Sequence, residues 1–214
     1  MKTRKSRGTI RPVAGRQEIL SAARSIGIRM GWKAVTIRAV AQHLGYTSPL
    51  LYEYFRDKQE ILTELAVESQ VTLGEEISRD LPADPYRAIL SMVDRYWSFM
   101  LENEQLYRLV NGMDGVLIDR DRVTAVAQRS FEAATANVQA WLTAACGCDS
   151  GAGLLLEDLW AVLHGMAILH LDRSAPFDVT RAKDCVSKLL IGTKQQVRSA
   201  RKEMKVIPEL RNQS

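Results

Sequence analysis

Apolar residues recur every three to four positions along most of the chain, and this is the period of an amphipathic α-helix. The stretch 36–44 shows the period first, with Val40, Ala41 and Leu44 on one helical face. Breaks rich in Gly and Pro separate longer periodic stretches, and no alternating Val/Ile/Thr-rich segments bounded by hairpin turns occur. The pattern predicts an all-α protein, with helices over about 61–79, 85–100, 106–110, 123–145, 154–171 and 179–197.

Residues 36–58 contain two short helical patterns joined by a tight turn. Thr36 is a candidate N-cap of the first helix, and Gly45 ends that helix because glycine adopts the left-handed conformation at low cost. Thr47 is the candidate N-cap of the second helix, which places Leu51 and Phe55 four residues apart on its inner face. Two helices joined in this way are typical of a helix-turn-helix, whose second helix enters the major groove of DNA.

The outward residues of the second helix suit contact with DNA. Tyr52 and Tyr54 carry rigid hydroxyls that can reach phosphate oxygens, and Lys58 can do the same by charge. Pro49 and Leu50 offer only apolar contact, for example to a thymine methyl group. An α-hairpin of an ordinary helical protein would also place Ala and Gly at these positions. The candidate DNA-binding residues are Thr36, Arg38, Thr47, Ser48, Pro49, Leu50, Tyr52, Tyr54 and Lys58.

These residues resemble the DNA-binding motif of the tetracycline-repressor (TetR) type of transcriptional regulator. The stretch from Ile19 to Trp32 is similar to that family's first helix and the glycine that ends it. The resemblance implies an N-terminal three-helix helix-turn-helix head on a C-terminal helical bundle body, which forms homodimers and commonly binds a small molecule. The matching residues are Thr36, Ile37, Arg38, Val40, Ala41, Leu44, Gly45, Thr47, Leu51, Tyr52, Tyr54, Phe55, Lys58, Ile61 and Leu62.

Two departures from the family pattern concern base recognition. Tyr46 replaces the usual small aliphatic residue, and Pro49 with Leu50 occupies base-reading positions that are often polar or small. Neither change opposes the fold, because proline is tolerated in the first turn of a helix. Both leave few side chains that can form hydrogen bonds with bases, and the operator sequence therefore does not follow from the chain.

Charge divides the chain into a basic head and a mildly acidic remainder. Residues 1–60 contain twelve Lys/Arg and four Asp/Glu, a balance of +8, whereas the whole chain carries +4. A head that alone meets polyanionic phosphate would have this distribution. The predicted domains are a disordered basic arm at 1–13, a DNA-binding domain at 14–60 and an effector-binding and dimerisation domain at 61–214. The arm is either a solvated tail or an additional contact to phosphate or the minor groove.

Cysteine and histidine usage argues against an enzyme, a metal site or a cofactor. The chain has three Cys and three His, and it lacks a Ser-His-Asp arrangement or a Gly-rich phosphate loop. Cys146 and Cys148 could form a redox or metal pair, but inert thiols in a reducing, cytoplasmic compartment are the favoured interpretation. The longest apolar run, 159–171, has 13 residues, fewer than the about 20 that span a membrane, so no membrane partner is expected.

The last two long helices are predicted to form an association surface. The helix at 154–171 is apolar on two adjacent faces, and its own core can cover only one of them. A second copy would cover the other and set two recognition helices about 34–36 Å apart on a pseudo-palindromic operator. One large monomeric core is the alternative. The candidate dimer residues are Leu155, Leu159, Val162, Met166, Leu169, Val186, Leu189, Leu190 and Val197.

Aromatic and Met side chains in the body supply a candidate effector pocket for a small lipophilic ligand. The same set could be plain core, and His164 could orient a ligand or simply donate to a backbone carbonyl. In the expected mechanism, ligand binding shifts a dimer between two spacings of its heads and releases double-stranded operator DNA. The alternative is a ligand-independent regulator that is controlled by its abundance or by a protein partner. The candidate pocket residues are Trp97, Met100, Tyr107, Met113, Phe131, Trp141, Trp160 and His164.

Overall fold

The computed structural model describes residues 15–148 and 150–211, with side chains described as far as residue 200. This described part is helical and contains no β-strand, which confirms the predicted all-α class. A 3₁₀ turn, Trp32–Ala34, follows the first helix. The α-helices are α1 (Arg16–Met30), α2 (Ile37–Leu44), α3 (Ser48–Tyr52), α4 (Lys58–Ser78), α5 (Pro85–Glu102), α6 (Glu104–Val110), α7 (Arg120–Cys146), α8 (Ala152–Leu171) and α9 (Val179–Arg211).

The chain divides into two compact units. The N-terminal unit comprises Met1–Ala66 and Arg108–Asp119, and the C-terminal unit comprises Val67–Tyr107 and Arg120–Ser214. The predicted boundary at residue 60 therefore falls six residues early, and the sequence pattern did not indicate that a later segment joins the N-terminal unit. The predicted basic arm at 1–13 lies outside the described residues.

The core of the N-terminal unit forms where α1, α2 and α3 pack together. Val40 of α2 and Leu51 of α3 are fully buried, as is Trp32 just after α1. The Trp32 ring lies directly on Gly27 of α1, where a Cβ atom would overlap three ring carbons. Gly27 therefore provides the space that the largest buried side chain of this unit occupies.

The segment Arg108–Asp119 is anchored to the N-terminal unit by polar bonds. The backbone N–H of Asp119 donates to the Thr63 hydroxyl oxygen at 2.9 Å, and Thr63 on α4 is buried. Arg108 and Asp114 form an ion pair at 3.3 Å within the segment, and Ile118 is buried. The bond between Asp119 and Thr63 joins positions 56 residues apart, so local periodicity carries no signal for it.

The C-terminal unit is a bundle in which α5, α7, α8 and α9 pack against one another. Asp84 caps α5, since its carboxylate accepts from the backbone N–H of Arg87 at 2.8 Å. Two contacts join α5 to α9: Lys183 donates to Asp94 at 2.8 Å, and the Tyr86 hydroxyl bonds to that of Ser187 at 3.0 Å. The unit thus positions α5 and α9 by polar contacts as well as by apolar burial.

Helix α8 is unusually apolar. Its 20 residues have a mean hydropathy of 1.5 over an 18-residue window, of which 33% is buried, so by length and composition alone it could cross a membrane. A core helix of a soluble protein can have the same composition. The apolar run of 13 residues found in the sequence therefore underestimates the length of this apolar helix. The absence of a membrane partner stays a prediction.

Candidate functional site

The helix-turn-helix has the local geometry that the sequence predicts for its first half. The Thr36 hydroxyl oxygen accepts from the backbone N–H of Ala39 at 3.0 Å, which caps α2. Gly45 ends α2 in the left-handed conformation, with φ 73° and ψ 26°. Thr47 occupies the N-cap position of α3, but its side chain makes no capping hydrogen bond there. Both predicted N-cap positions are thus correct, and of the two side chains only that of Thr36 makes a capping hydrogen bond.

Helix α3 is shorter than predicted because the next helix begins early. Asp57 caps α4 by accepting from the backbone N–H of Glu60 at 2.8 Å, and the Glu60 carboxylate accepts from the backbone N–H of Arg56 at 2.8 Å. This reciprocal cap fixes the start of α4 at Lys58, so Lys58 begins α4 and does not trail α3. The Asp-Lys-Gln-Glu sequence carried the signal for this cap, which was not among the predictions.

Phe55 lies beyond the end of α3 but is buried, as predicted for an inward-facing residue. Its backbone N–H donates to the Leu51 carbonyl at 3.0 Å. Arg16 at the start of α1 places its guanidinium 4.1 Å from the Phe55 ring centroid and pairs with Glu60 and Glu64 at 3.3 and 2.9 Å. Arg16 therefore ties α1 to the start of α4, a positioning role that was not predicted from the sequence.

The candidate DNA-binding residues are accessible. Tyr52 is 58% exposed at the end of α3, and Lys58 is exposed at the start of α4. Tyr54 is half-buried, with its backbone carbonyl bonded to Arg16 at 2.7 Å. Of the others, Thr36, Arg38, Thr47 and Pro49 are exposed, while Ser48 and Leu50 are half-buried.

The candidate pocket residues separate into different places. Tyr107, Phe131, Trp160 and His164 lie in one ring cluster of the C-terminal unit, together with Tyr96 of α5. Tyr96 was missed, although it follows Ile89 and Val93 at the spacing of the buried α5 stripe. Trp97 contacts His170, and Met113 lies in the segment that belongs to the N-terminal unit. Met100 and Trp141 are buried in the C-terminal unit.

A hydrogen-bonded chain runs through this ring cluster. The hydroxyls of Tyr96 and Tyr107 are 2.7 Å apart, and the Tyr107 hydroxyl lies 2.8 Å from Nδ1 of His164. His164 thus bonds to a side chain, so the suggestion that it donates to a backbone carbonyl is wrong. Burial raises the pKa of Tyr107 to about 12 and raises that of Tyr96 as well. Burial lowers the pKa of His164 from 6.5, and all three groups are therefore neutral near pH 7.

This cluster makes a prediction about stability and pH. Because the pKa of His164 is lower in the folded chain, the unfolded chain takes up its proton first as the pH falls. Folding stability should therefore decrease as the pH drops from 7 through the unfolded value of 6.5 toward the folded pKa. His164→Gln places an amide near Tyr107 in place of the imidazole, and an amide does not titrate. The unfolding free energy of this variant, measured by urea titration, should therefore fall less steeply over this pH interval. Parallel curves for the two proteins would contradict this assignment.

The candidate dimer residues are mostly turned into the protomer. Leu155, Leu159, Met166, Val186 and Leu190 are buried within the C-terminal unit, so they offer little area to a partner. The predicted stripe was wrong for these five, because it is the face that α8 and α9 turn toward their own bundle. Leu169 is exposed, while Val162, Leu189 and Val197 are half-buried. Leu154 of α8 and Ile191 of α9, which were not predicted, are the other large exposed apolar residues of these two helices up to residue 200, where the described side chains end.

The cysteines and the possible metal ligands were the remaining candidates for a chemical site. The three cysteines form no disulfide, and the Cys148 thiol points to the Cys146 carbonyl oxygen at 3.9 Å. Over the ranges that the structure describes, no group of three His, Cys, Asp or Glu side chains could hold a metal ion.

Comparison with known proteins matches the N-terminal unit to a family. Residues 19–65 match the model of bacterial regulatory proteins of the tetR family. A curated relative, the HTH-type transcriptional repressor AcnR of Corynebacterium efficiens, is 29% identical over 86 residues, which is 40% of this chain and 46% of the relative. The AcnR of Corynebacterium glutamicum is 28% identical over the same shares. The chain thus spans about half the length of the curated relatives that it matches.

Solved structures share the fold over most of the chain. A protein of unknown function from Rhodococcus sp. RHA1 has a TM-score of 0.73 and 19% identity, over 86% of this chain and 98% of its own. The TetR family transcriptional regulator PfmR of Thermus thermophilus has a TM-score of 0.59 and 22% identity, over 80% of this chain and 96% of its own. Identities this low establish the fold alone.

Proposed function

We propose that the chain is a sequence-specific DNA-binding regulator of transcription of the tetR type, since its residues 19–65 match the model of that family of bacterial regulatory proteins. The observation that carries the proposal is the capped α2, its left-handed end at Gly45 and the exposed face of the short α3. In this arrangement α3 enters the major groove, while Tyr52, Tyr54 and Lys58 contact the phosphate backbone. The AcnR relatives are named as repressors, and repression is the proposed outcome when the operator overlaps a promoter. The proposed location is the cytoplasm, where operator DNA is reached.

The proposed assembly is a homodimer formed through α8 and α9. Helix α8 is strongly apolar, yet only a third of its most apolar window is buried in the protomer. Leu154, Leu169 and Ile191 are exposed on these helices, and a second copy of the same surface would cover them. A two-fold dimer would present two α3 helices to the two halves of a pseudo-palindromic operator.

Release of DNA by a small lipophilic ligand is the proposed control. The ring cluster around Trp160 offers aromatic walls and one polar chain, which suits a mostly apolar molecule. The ligand would favour one of two states of the dimer and so change its affinity for the operator. The second candidate is a regulator without a ligand. Thermal shift with a panel of lipophilic compounds separates the two, since only the first is stabilised by a compound that also weakens operator binding.

The proposed phosphate contacts lead to a prediction for Tyr52→Phe combined with Lys58→Ala. Loss of one hydroxyl and one cation should weaken operator binding about 10- to 100-fold and reduce the salt slope of log affinity by about one. Binding would be measured by fluorescence anisotropy at several salt concentrations. The operator comes from selecting bound duplexes out of random DNA. An unchanged affinity would remove these two residues from the interface.

The matched control for this pair is Tyr86→Phe with Arg129→Ala. It likewise removes one phenolic hydroxyl and one cation, but from the C-terminal unit, where Tyr86 bonds to Ser187 and Arg129 is exposed on α7. Affinity and salt slope should stay as in the original protein. An equal loss in both double variants would indicate a general effect of charge or stability and not a contact at the head.

A further inference from the structure

The N-terminal unit contains a cleft of about 470 Å³ beside the start of α4, which we name the lysine cleft. Its walls are Lys33 of the 3₁₀ turn, residues 57–59 at the start of α4, and residues 115–117 of the segment that joins this unit from later in the chain. Small-molecule sites in proteins occupy about 300–1,000 Å³. The lysine cleft therefore has room for a small ligand, and all of its walls belong to one compact unit.

One wall of the lysine cleft is apolar and fixed in place. Just after residues 115–117, the backbone N–H of Asp119 donates to the hydroxyl oxygen of the buried Thr63 at 2.9 Å. Val116 is half-buried, and Leu117 is 75% exposed. An apolar group in the cleft would cover part of this leucine, which is favourable in water.

Two lysines bring positive charge to the same cleft. A Cβ atom at Gly115 would lie 4.0 Å from both Cε and Nζ of Lys33, so this ammonium lies close to the backbone that precedes Val116. Lys58 lines the cleft from the start of α4, and both lysines are exposed. Neither lysine side chain forms a hydrogen bond or an ion pair with the residues whose side chains the structure describes. The two ammonium groups are therefore available to a ligand.

The carboxylate in the wall does not cancel this charge. Oδ1 of Asp57 accepts from the backbone N–H of Glu60 at 2.8 Å, and Oδ2 lies 3.5 Å from Nε of Arg56. The charge of Asp57 is thus offset by that of Arg56, which does not line the cleft. The cleft keeps the positive charge of Lys33 and Lys58 opposite its apolar wall.

We propose that the lysine cleft binds an amphipathic anion. Its oxyanion, for example a carboxylate, pairs with Lys33 and Lys58, and its apolar body lies against Val116 and Leu117. A phosphate of the DNA backbone would satisfy the lysines but would leave the apolar wall uncovered. The combination of both walls in a volume of ligand size favours the small anion.

Occupation of the cleft would act on operator binding directly. Lys58 is a proposed phosphate contact, so an oxyanion that pairs with it removes a cation from the DNA interface and places a negative charge there. Release by this route needs no change in the spacing of the heads, unlike the ligand control proposed above. The competition with DNA rests on the proposed function, whereas occupation of the cleft does not.

Three probes separate the charge from the apolar body on the full-length protein. The first, 2-naphthoate, carries both; 2-acetylnaphthalene has nearly the same shape without the charge, and acetate has the charge alone. In ¹⁵N NMR titrations at neutral pH and low salt, naphthoate should shift the backbone amides of residues 33, 57–59 and 115–117. It should bind about fivefold or more tightly than either other probe, the scale expected for two exposed ion pairs. Equal affinity for the ketone or for acetate, or shifts confined to other parts of the chain, would overturn the proposal.

Lys33→Gln tests the anion contact at a residue that has no assigned role in DNA binding. Naphthoate affinity should fall about threefold to fivefold, while operator affinity without a probe should stay as in the original protein. Lys188→Gln is the control, since it makes the same change at an exposed position on α9 and should leave both affinities unaltered. Naphthoate affinity that is unchanged in Lys33→Gln would overturn the proposal. So would a salt slope of operator binding reduced by about one, because the cleft would then belong to the DNA interface.

Leu117→Asn tests the apolar wall. Folding should be retained because Leu117 already contacts solvent, and naphthoate affinity should fall about threefold while that of acetate stays the same. Leu101→Asn, at a position that is 49% exposed on α5, is the matched control and should not affect naphthoate. Equal naphthoate affinities of the two variants would contradict an apolar contact at Leu117.

Operator binding separates the cleft from the proposed function. At about ten times its dissociation constant, naphthoate should weaken operator binding about tenfold or more, and by a smaller factor in Lys33→Gln, whose cleft is less occupied. Acetate at the same concentration should have no such effect. If naphthoate fills the cleft and operator affinity does not change, the competition is overturned. If the protein binds no operator specifically, the proposed function fails, and the NMR titration still decides whether the cleft binds the anion.

Discussion

Gly27→Ala is expected to destabilise the N-terminal unit by about 3 kcal/mol, at the upper end of what overpacking a core costs. A Cβ atom at this position would overlap the six-membered ring of Trp32, and that ring is fully buried and cannot swing into solvent without exposing the core. Folded domains are stable by only about 5–15 kcal/mol, so such a loss is a large share for a unit of this size. Urea unfolding followed by circular dichroism should show an early transition, and operator binding should be lost at the same urea concentration.

A matched glycine shows whether the effect comes from the lost space. Gly153 on α8 has nothing within 4 Å of an added Cβ atom, so Gly153→Ala should be neutral or stabilising by up to about 1 kcal/mol. Trp32→Leu combined with Gly27→Ala should cost less than the sum of the two single changes, because leucine does not occupy the position of the overlapping ring carbons. Additive losses would mean that the two residues do not compete for the same space.

The features predicted from the sequence were those encoded within one turn of a helix. Thr36 and Gly45 bracket α2 as predicted, because a cap and a left-handed end depend on the residues themselves and their immediate neighbours. The predicted end of α3 was wrong. The helix ends at Tyr52, and the cap formed by Asp57 and Glu60 starts a new helix at Lys58. A helical periodicity can continue through such a boundary, as the buried Phe55 shows, and periodicity alone does not reveal it.

The features that could not be predicted depend on contacts between distant positions. The bond from Asp119 to Thr63 spans 56 residues, and the bond from Tyr107 to His164 spans 57. Periodicity identifies a face as apolar but does not say what covers it. For this reason the stripe with Leu155 and Leu159 was assigned to a partner, whereas α8 turns it toward its own bundle.

A charge on the remaining exposed face of α8 and α9 is expected to break the proposed dimer. In Leu169→Glu with Ile191→Glu, two residues that are 43% and 51% exposed in the protomer each become a carboxylate. Two-fold symmetry would bring four such charges into one apolar interface, where each would lose its hydration without gaining a partner. Sedimentation equilibrium should show the mass falling from twice 24.0 kDa to 24.0 kDa. Folding should be retained, because both side chains already contact solvent in the protomer.

Operator binding gives the larger effect of the same double variant. Two linked heads bind two half-sites with an avidity about 10²–10⁴ times that of one head, so separated protomers should lose at least about 100-fold in affinity for the full operator. Affinity for an isolated half-site should be nearly unchanged, because α3 and its phosphate contacts lie in the other unit. Leu101→Glu is the control, since Leu101 is 49% exposed and undergoes the same chemical change on a different helix, α5. If this control dissociates the dimer equally, or if the double variant remains dimeric, a surface other than that of α8 and α9 joins the two copies.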